Sequence, residues 1–290
     1  MKPNRFRHFA AIDWSGAMGE RQRGIAVALC TAGHAAPRLI RPGHVWSRGE
    51  ALAWLRDDLP PDTLVGMDLG ISLPFADTGA FFPGWSQSPA NAHALWALVD
   101  RMAGTDPHLA VASFVDHAQI ARHFRRHGGR QGDQFPPGRG RMRVTERAQE
   151  AMGCKPTSNF NLVGAAQVGK SSLTGMRLLH ALRGHVPVWP IDPLSGQGPV
   201  ICEIYTTIAA MAAGRTAARS KMRLGADLDT ALAHLDSRPH AHEGTIDDHT
   251  SDAIITAAWL RRAAHDPALW HPAGLTAGIA ATEGWTFGAR

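Results

Sequence analysis

"HFAAIDWSGA", residues 8–17, is an apolar run that ends in an acid and passes into small residues. It reads as a buried strand with Asp13 at its end. The segments after it decide how that strand is used. "RGIAVALCTAG" (23–33) is a second apolar strand, and "PRLIRPGHVW" (37–46) a third, whose proline suits a sheet edge. The connections among these three are short, which favours antiparallel pairing. "SRGEALAWLRDDL" (47–59) opens with Ser47 three residues before Glu50, a capping box, and Leu52, Trp54 and Leu55 follow at helical spacing. "TLVGMDLGISLP" (63–74) is apolar and strand-like again, with Asp68 inside it. The order is β-β-β-α-β, so the crossover helix returns the fourth strand parallel beside the first. The expected fold is α/β: a mixed sheet of three antiparallel strands, then parallel ones, flanked by helices.

Further along, "PANAHALWALVDRMAG" (89–104) looks helical. Residues 121–149 are rich in Arg and Gly, with eight arginines between 122 and 147, and read as a mobile basic loop. "SLTGMRLLHALRG" (172–184) is an amphipathic helix and "GPVICEIYTTI" (198–208) a strand carrying Glu203. Residues 219–235 are helical in part, and "DDHTSDAIITAAWLRRAA" (247–264) is a strong helix, apolar on most faces. No internal repeat is visible. The expected organisation is one domain over residues 1–290, with a helical and loop insertion at about 77–185.

With 290 residues, 44% apolar and 19% charged, the chain has the composition of a globular protein with a substantial core. The formal charge of +5 permits anionic partners without requiring them. Only four of the thirty basic residues are lysine. Cys30, Cys154 and Cys202 are far apart, which excludes a CxxC metal or redox pair. The N-terminus lacks the apolar stretch of a signal peptide, and no run approaches the roughly eighteen apolar residues of a membrane span. A cytoplasmic protein without a membrane partner is expected.

Four acids stand where acids are costly. Asp13 ends the first strand and Asp68 lies in the fourth. Glu203 sits between Cys202 and Ile204, and Asp252 precedes "AIITAAWL". A buried carboxylate needs a base, several N–H donors or a cation, and none of the four has a lysine or arginine near it in sequence. With strands one and four adjacent, Asp13 and Asp68 would lie side by side, where a proton or a divalent metal must separate them. Oxygen ligands of this kind suit Mg²⁺ or Mn²⁺, and two such ions about 4 Å apart, bridged by Asp13, could clamp a phosphodiester for in-line attack by water. Each acid also has a plainer use: Asp13 and Asp68 as turn caps, Glu203 as an arginine's partner, Asp247 and Asp248 as helix caps. His249 shares a helical face with Asp252 and is a possible ligand or proton carrier.

"GAAQVGKSS" (164–172) fits the P-loop pattern G-x-x-x-x-G-K-[ST] at Gly164, Gly169, Lys170 and Ser171. A helix follows, but only the short "FNLV" precedes it, and the acid downstream, Asp192, ends a segment with two prolines. After Lys170, 120 residues remain with one convincing strand among them. A glycine turn that starts a helix is the plainer reading.

Taken together, "AIDWSGA", "VGMDLGISLP", "RVTE" (143–146), "LVGAAQVGKSSLTGMRLLHAL", "VICEIYTTI", "DDHTSDAIITAAWL" and "EGWTF" (283–287) resemble the DUF429 family, in order and over nearly the whole chain. That family consists of largely uncharacterised proteins with a predicted ribonuclease H-like, RuvC-like fold. The resemblance implies a metal-dependent nuclease, with Asp13, Asp68, Glu203 and Asp252 as the suspected site and metal ligands. The family's late strand commonly reads E-[VI]-Y-P, and Thr206 replaces that proline here. It also implies that "GAAQVGKSSLTG" is a turn and helix start in which the Lys is not required. The basic segment 121–149 would contact nucleic acid phosphates. Three other readings stay open: an actin- or sugar-kinase-type ATP-binding protein, in which "DLGIS" would grip phosphate; a P-loop nucleotide-binding protein; and a binding module that keeps the fold without turnover.

Overall fold

The computed structural model describes residues 5–164 and 168–290. Its first four strands are β1 (His8–Asp13), β2 (Ala26–Thr31), β3 (Arg38–Leu39) and β4 (Thr63–Asp68). β1 pairs antiparallel with β2, β2 antiparallel with β3, and β1 parallel with β4. Helix α1 (Arg48–Ala53) makes the crossover. Its capping box forms as the sequence suggests: the Glu50 amide donates to Ser47 Oγ at 3.0 Å and the Ser47 amide to Glu50 Oε2 at 2.7 Å. β5 (Val188–Trp189) and β6 (Val200–Glu203) extend the sheet in parallel, giving the order β3-β2-β1-β4-β6-β5. The mixed α/β sheet is thus present as expected. The third strand is two residues long instead of ten, because Arg41 and Gly43 have positive φ and Pro42 lacks an N–H.

Strand parity sorts the side chains onto two faces. Ala10 and Ile12 of β1, with Val65 and Met67 of β4, join one apolar core. Its helical side is built by α2 (Ala92–Met102) and α5 (Val168–Ala181), with the short α3 (Ala112–Val115), all from within 77–185. Phe9 and Ala11 of β1, with Leu64 of β4, join the opposite core. There α6 (Thr206–Ala212), α7 (Gly225–His234) and α8 (Asp248–Ala263) cover the sheet. α8 packs on β1 and β2 and buries Ile254, Ile255, Trp259 and Leu260. At roughly 1.5–3 kcal/mol per large apolar side chain, this burial far exceeds intrinsic helix propensity in fixing where α8 lies.

By the same parity Asp13 follows Phe9 and Ala11, and Asp68 follows Leu64 and Gly66. Both acids therefore belong to the face that α8 covers. Glu203 does not: Val200 and Cys202 face α8, so Glu203 shares the side of Ile201.

Candidate functional site

Asp13 and Asp68 are in register on β1 and β4, at the C-terminal ends of adjacent parallel strands. Neighbouring strands run about 4.8 Å apart. Two charges at that separation repel by roughly 3–4 kcal/mol at an effective dielectric of about 20, too much to leave uncompensated. Burial raises the Asp13 carboxyl above the usual carboxylate range, opposed by His249. Burial raises Asp68 further, and the charges of Asp13 and Asp252 add to it. Among the described residues no side chain or backbone group donates a hydrogen bond to the Asp68 carboxylate.

α8 brings the remaining groups. Asp247 is its N-cap and accepts from the Thr250 amide at 2.9 Å, so the capping role expected of that acid is real. One turn in, His249 Nδ1 lies 2.6 Å from Asp13 Oδ2. This hydrogen bond raises the imidazole above its usual range and so favours its charged form; in the neutral ring, with Nδ1–H donating to the carboxylate, Nε2 is the acceptor. Asp252, three residues further, is 3% exposed and paired with the Lys221 ammonium. Burial still outweighs that cation and raises Asp252 to about 6. Lys221 is raised too: burial is the largest influence and pulls it down, but Asp252, Asp13 and Asp68 together outweigh it.

Glu203 borders the same cleft, and its charge reaches Asp68, but its oxygens are already engaged. Arg143 Nη1 donates to Oε2 at 2.8 Å and Nη2 to Oε1 at 2.6 Å. The Ile71 amide adds a bond to Oε2 at 2.8 Å and Thr286 Oγ1 one to Oε1 at 2.5 Å. Arg143 is itself 1% exposed and also grips Glu146. "RVTE" and "EGWTF" close around this pair. Thr145 Oγ1 accepts from the Thr286 amide at 3.0 Å, and Glu283, fully buried, accepts from the amides of Phe75, Ala76 and Val144. The arginine partner considered for Glu203 in the sequence is thus Arg143. Among the described residues, no three His, Cys, Asp or Glu side chains converge as a ready-made metal cage.

A cleft of about 580 Å³ opens over the strand ends. Asp13, Asp68 and His249 line it together with Lys155, Tyr205 and Lys221. Lys221, Lys155 and Arg143 are the functional-looking residues that sequence reasoning passed over. Compositional scarcity was the available signal, since two of the chain's four lysines face this one cleft.

Residues 121–149 are not the mobile loop expected. Arg122 pairs with Asp133, Arg126 and Arg130 with Asp116, Arg139 and Arg147 with Glu150, and Arg141 with Asp77. Arg141 is 8% exposed and also donates to the carbonyls of Pro74, Ala80 and Phe81. Val144–Ala151 is a helix, α4. Neutralisation by nearby acids, invisible as a local pattern, folds the segment onto the body.

The P-loop pattern falls partly on residues 165–167, outside the described residues. Among the described residues no strand of the sheet leads into it; Asn161 makes an isolated bridge to Arg125. Gly169 is needed for close approach, because a Cβ there would stand 2.4 Å from the Asn159 carbonyl oxygen. Gly70 of "DLGIS" is similar: its amide donates to Ser172 Oγ at 3.1 Å, and a Cβ would meet Asn159 Nδ2 at 2.2 Å. Both glycines pack the start of α5 against the sheet.

Comparison with protein-family models, with curated proteins and with solved structures gives no match for this chain. No described helix is long and apolar enough to cross a membrane.

Proposed function

We propose that this chain is a nucleic acid phosphodiesterase of ribonuclease H-like fold, akin to the DUF429 family, which acts with a divalent cation, Mg²⁺ or Mn²⁺. The observation that carries the reading is Asp68: a carboxylate in register with Asp13, under the charge of Asp252, with no donor of its own among the described residues. Such a group is costly unless a proton or a cation is supplied, and a divalent cation is what an open carboxylate cleft can take up. The strand order, with acids at the ends of β1 and β4 and a long helix carrying Asp252 behind them, supports the fold assignment.

The chemistry of the donors suits a hard cation: Asp13 and Asp68 face the open cleft together, and Asp252 lies behind them on α8, paired with Lys221. Asp13, Asp68 and Asp252 would hold the ion. Glu203, though it borders the cleft, does not fit that role, because both its oxygens already accept from Arg143, the Ile71 amide and Thr286. When bound, the ion would draw charge from the phosphoryl oxygens. The chain's own groups do the rest. Asp13 orients His249 through Nδ1, and Nε2 takes the proton of the attacking water. Lys155, exposed at the cleft wall, draws in the phosphate backbone.

The test is a nuclease screen on single- and double-stranded DNA and RNA with Mn²⁺, run on wild type and Asp68→Asn. Mn²⁺-dependent cleavage that disappears in Asp68→Asn supports the reading. Absence of both cleavage and Mn²⁺ binding in wild type sinks it and leaves the non-catalytic binding module.

A further inference from the structure

We infer that a second cavity, across the start of α4 from the candidate site, takes up one unpaired nucleobase, so that the nucleic acid bound here is one that presents a nucleotide out of the stack. The inference rests on the phosphodiesterase reading and adds the substrate class to it.

The first support is where the cavity lies. Arg143 and Glu146 line the candidate cleft, whereas Arg141, Val144 and Arg147 line a separate cavity of about 750 Å³. That volume falls in the range of roughly 300–1,000 Å³ that small-molecule sites occupy. The first turn of α4 is the wall between the two openings, and a helix is only about 10–12 Å across. A strand engaged at one opening passes close to the other.

The second is a group left without a partner. His123 faces this cavity and is 3% exposed, and its Nδ1 has no hydrogen-bond partner among the described residues. Buried polar atoms are rarely left so. The ring is wedged edge-on to Phe82, with centroids 5.4 Å apart, and tilted against Phe160 at 6.2 Å. Burial, helped by the charges of Arg141 and Arg122, lowers its pKa to about 4. At neutral pH it is therefore an uncharged imidazole, with one donor nitrogen and one acceptor.

The third is what the neighbouring charges leave over. Arg141 spends its donors on Asp77, Thr78 and the carbonyls of Pro74, Ala80 and Phe81. Arg147 pairs with Glu150, and Glu283 accepts from the amides of Phe75, Ala76 and Val144. No cation of the lining is left for an anion. What remains is uncharged: His123, the Gln134 side chain at the mouth, and apolar walls from Pro83, Pro136, Pro137 and Met142. Gln134 is fixed beside His123, its backbone amide donating to the Arg122 carbonyl at 2.8 Å, while its side-chain Nε2 makes only a 3.5 Å contact with Asp133. A flat, uncharged ring edged with donors and acceptors matches this lining. A glutamine amide and a neutral imidazole can each give and accept one hydrogen bond at a base edge, and proline faces pack on a ring. A base inside a duplex cannot reach such a pocket without leaving its stack. The contact carries no charge, so the arginine pairs of residues 121–149 stay closed.

The experiment measures binding by fluorescence anisotropy, and Mn²⁺-dependent cleavage, for a single-stranded oligonucleotide, its blunt duplex, and the single strand with abasic residues. The proteins are wild type, His123→Phe, which keeps a ring against Phe82 and Phe160, and Gln134→Ala at the exposed mouth, which tests the cavity even where His123→Phe does not fold. Wild type should bind the intact single strand about tenfold more tightly than the duplex or the abasic strand, the scale of one stacked base. Both variants should lose about that factor on the intact strand and nothing further on the abasic one. The four free ribonucleosides, at up to about 1 mM, should leave the melting temperature unchanged, since a single base contact is worth little without its strand. An abasic strand bound as tightly as the intact one would overturn the inference. So would folded variants that bind undiminished, which would mean that a trapped water alone satisfies His123. Tight binding of a free nucleoside would overturn it too, making the cavity a small-molecule site. In each of these cases cleavage by wild type leaves the phosphodiesterase reading standing, whereas a wild type that neither binds nor cuts any of the three oligonucleotides removes both.

Discussion

Arg143 clasps both carboxylate oxygens of Glu203, at 2.8 and 2.6 Å, and the two side chains are 1% and 4% exposed. The pair ties the basic segment to the end of β6. Removing one member of a buried pair strands the other, at about 3–5 kcal/mol. Glu203→Ala is therefore expected to lower stability by that order in urea unfolding. Glu203→Gln, where it folds, should retain the Mn²⁺ affinity of wild type. A Glu203→Gln protein that is fully folded but no longer binds Mn²⁺ would return Glu203 to the ligand set.

Asp68→Asn should act in the opposite direction. The folded-state pKa of Asp68 is raised by burial and by Asp13 and Asp252, so above the unfolded value its ionised form costs stability. Removing the charge recovers that cost. In EDTA at pH 7–8 the melting temperature should rise by a few degrees, at about 2–4 °C per kcal/mol for chains of around this size. The difference should vanish near pH 3.5, where the carboxyl is protonated in both states. Added Mn²⁺ should stabilise wild type and not the variant.

Much of this was legible in the sequence. The β-β-β-α-β order follows from apolar runs and connection lengths, and it alone places Asp13 beside Asp68. "DDHTSDAIITAAWL" announces a buried helix, and Asp247 caps it. Glu203 eluded the same reasoning for want of register. The alternation in "VICE" shows which residues share a face, but not which face that is. β6 pairs Glu203 with Met67 and not with Asp68, and that single step gives its side chain the opposite parity, beside Arg143, at the far wall of the same cleft. Lys221 and Arg143 lie 31 and 60 residues from their partners, in segments without periodic pattern. The acids that neutralise residues 121–149 include Asp77, 64 residues from Arg141. Ion pairs of that range leave no local mark, which is why a folded segment reads as a loose basic one.

The Asp13–His249 contact has a pH signature. The folded pKa of His249 is raised by its hydrogen bond to Asp13, against the pull of burial and of Lys221, with Asp247 adding to the rise. Its contribution is fully present below the unfolded imidazole value of about 6.5 and is lost as pH climbs through the higher folded value. The stability gap between wild type and His249→Gln should be widest near pH 6 and close through the alkaline range. Thermal melts from pH 5.5 to 9 in EDTA measure it. A gap that widens with pH would contradict the ion pair.

Lys170 offers a check on the P-loop pattern. It is partly buried, which lowers its pKa, and among the described residues no strand of the sheet leads towards it. Occupancy at 100 times Kd would stabilise the protein by about 2.7 kcal/mol. The expected result is no ATP-induced rise in melting temperature for wild type or Lys170→Ala, and equal nuclease activity in the two. An ATP-dependent rise that is lost in Lys170→Ala would revive the nucleotide reading.

Nucleic acid binding should depend on salt less steeply than the arginine content suggests. Eight free arginines on duplex DNA would give a slope of log K against log salt of about −7, at roughly −0.9 per phosphate neutralised. Seven of those at 122–147 are already paired with Asp or Glu, and each would have to give up its acid to meet a phosphate. Lys155 has no such partner among the described residues and faces the cleft. The slope expected is about −3 or shallower, and Lys155→Ala should reduce its magnitude by about one. Fluorescence anisotropy from 50 to 300 mM salt measures both. A slope near −7 would mean that the ion pairs open on binding and that residues 121–149 form the nucleic acid contact after all.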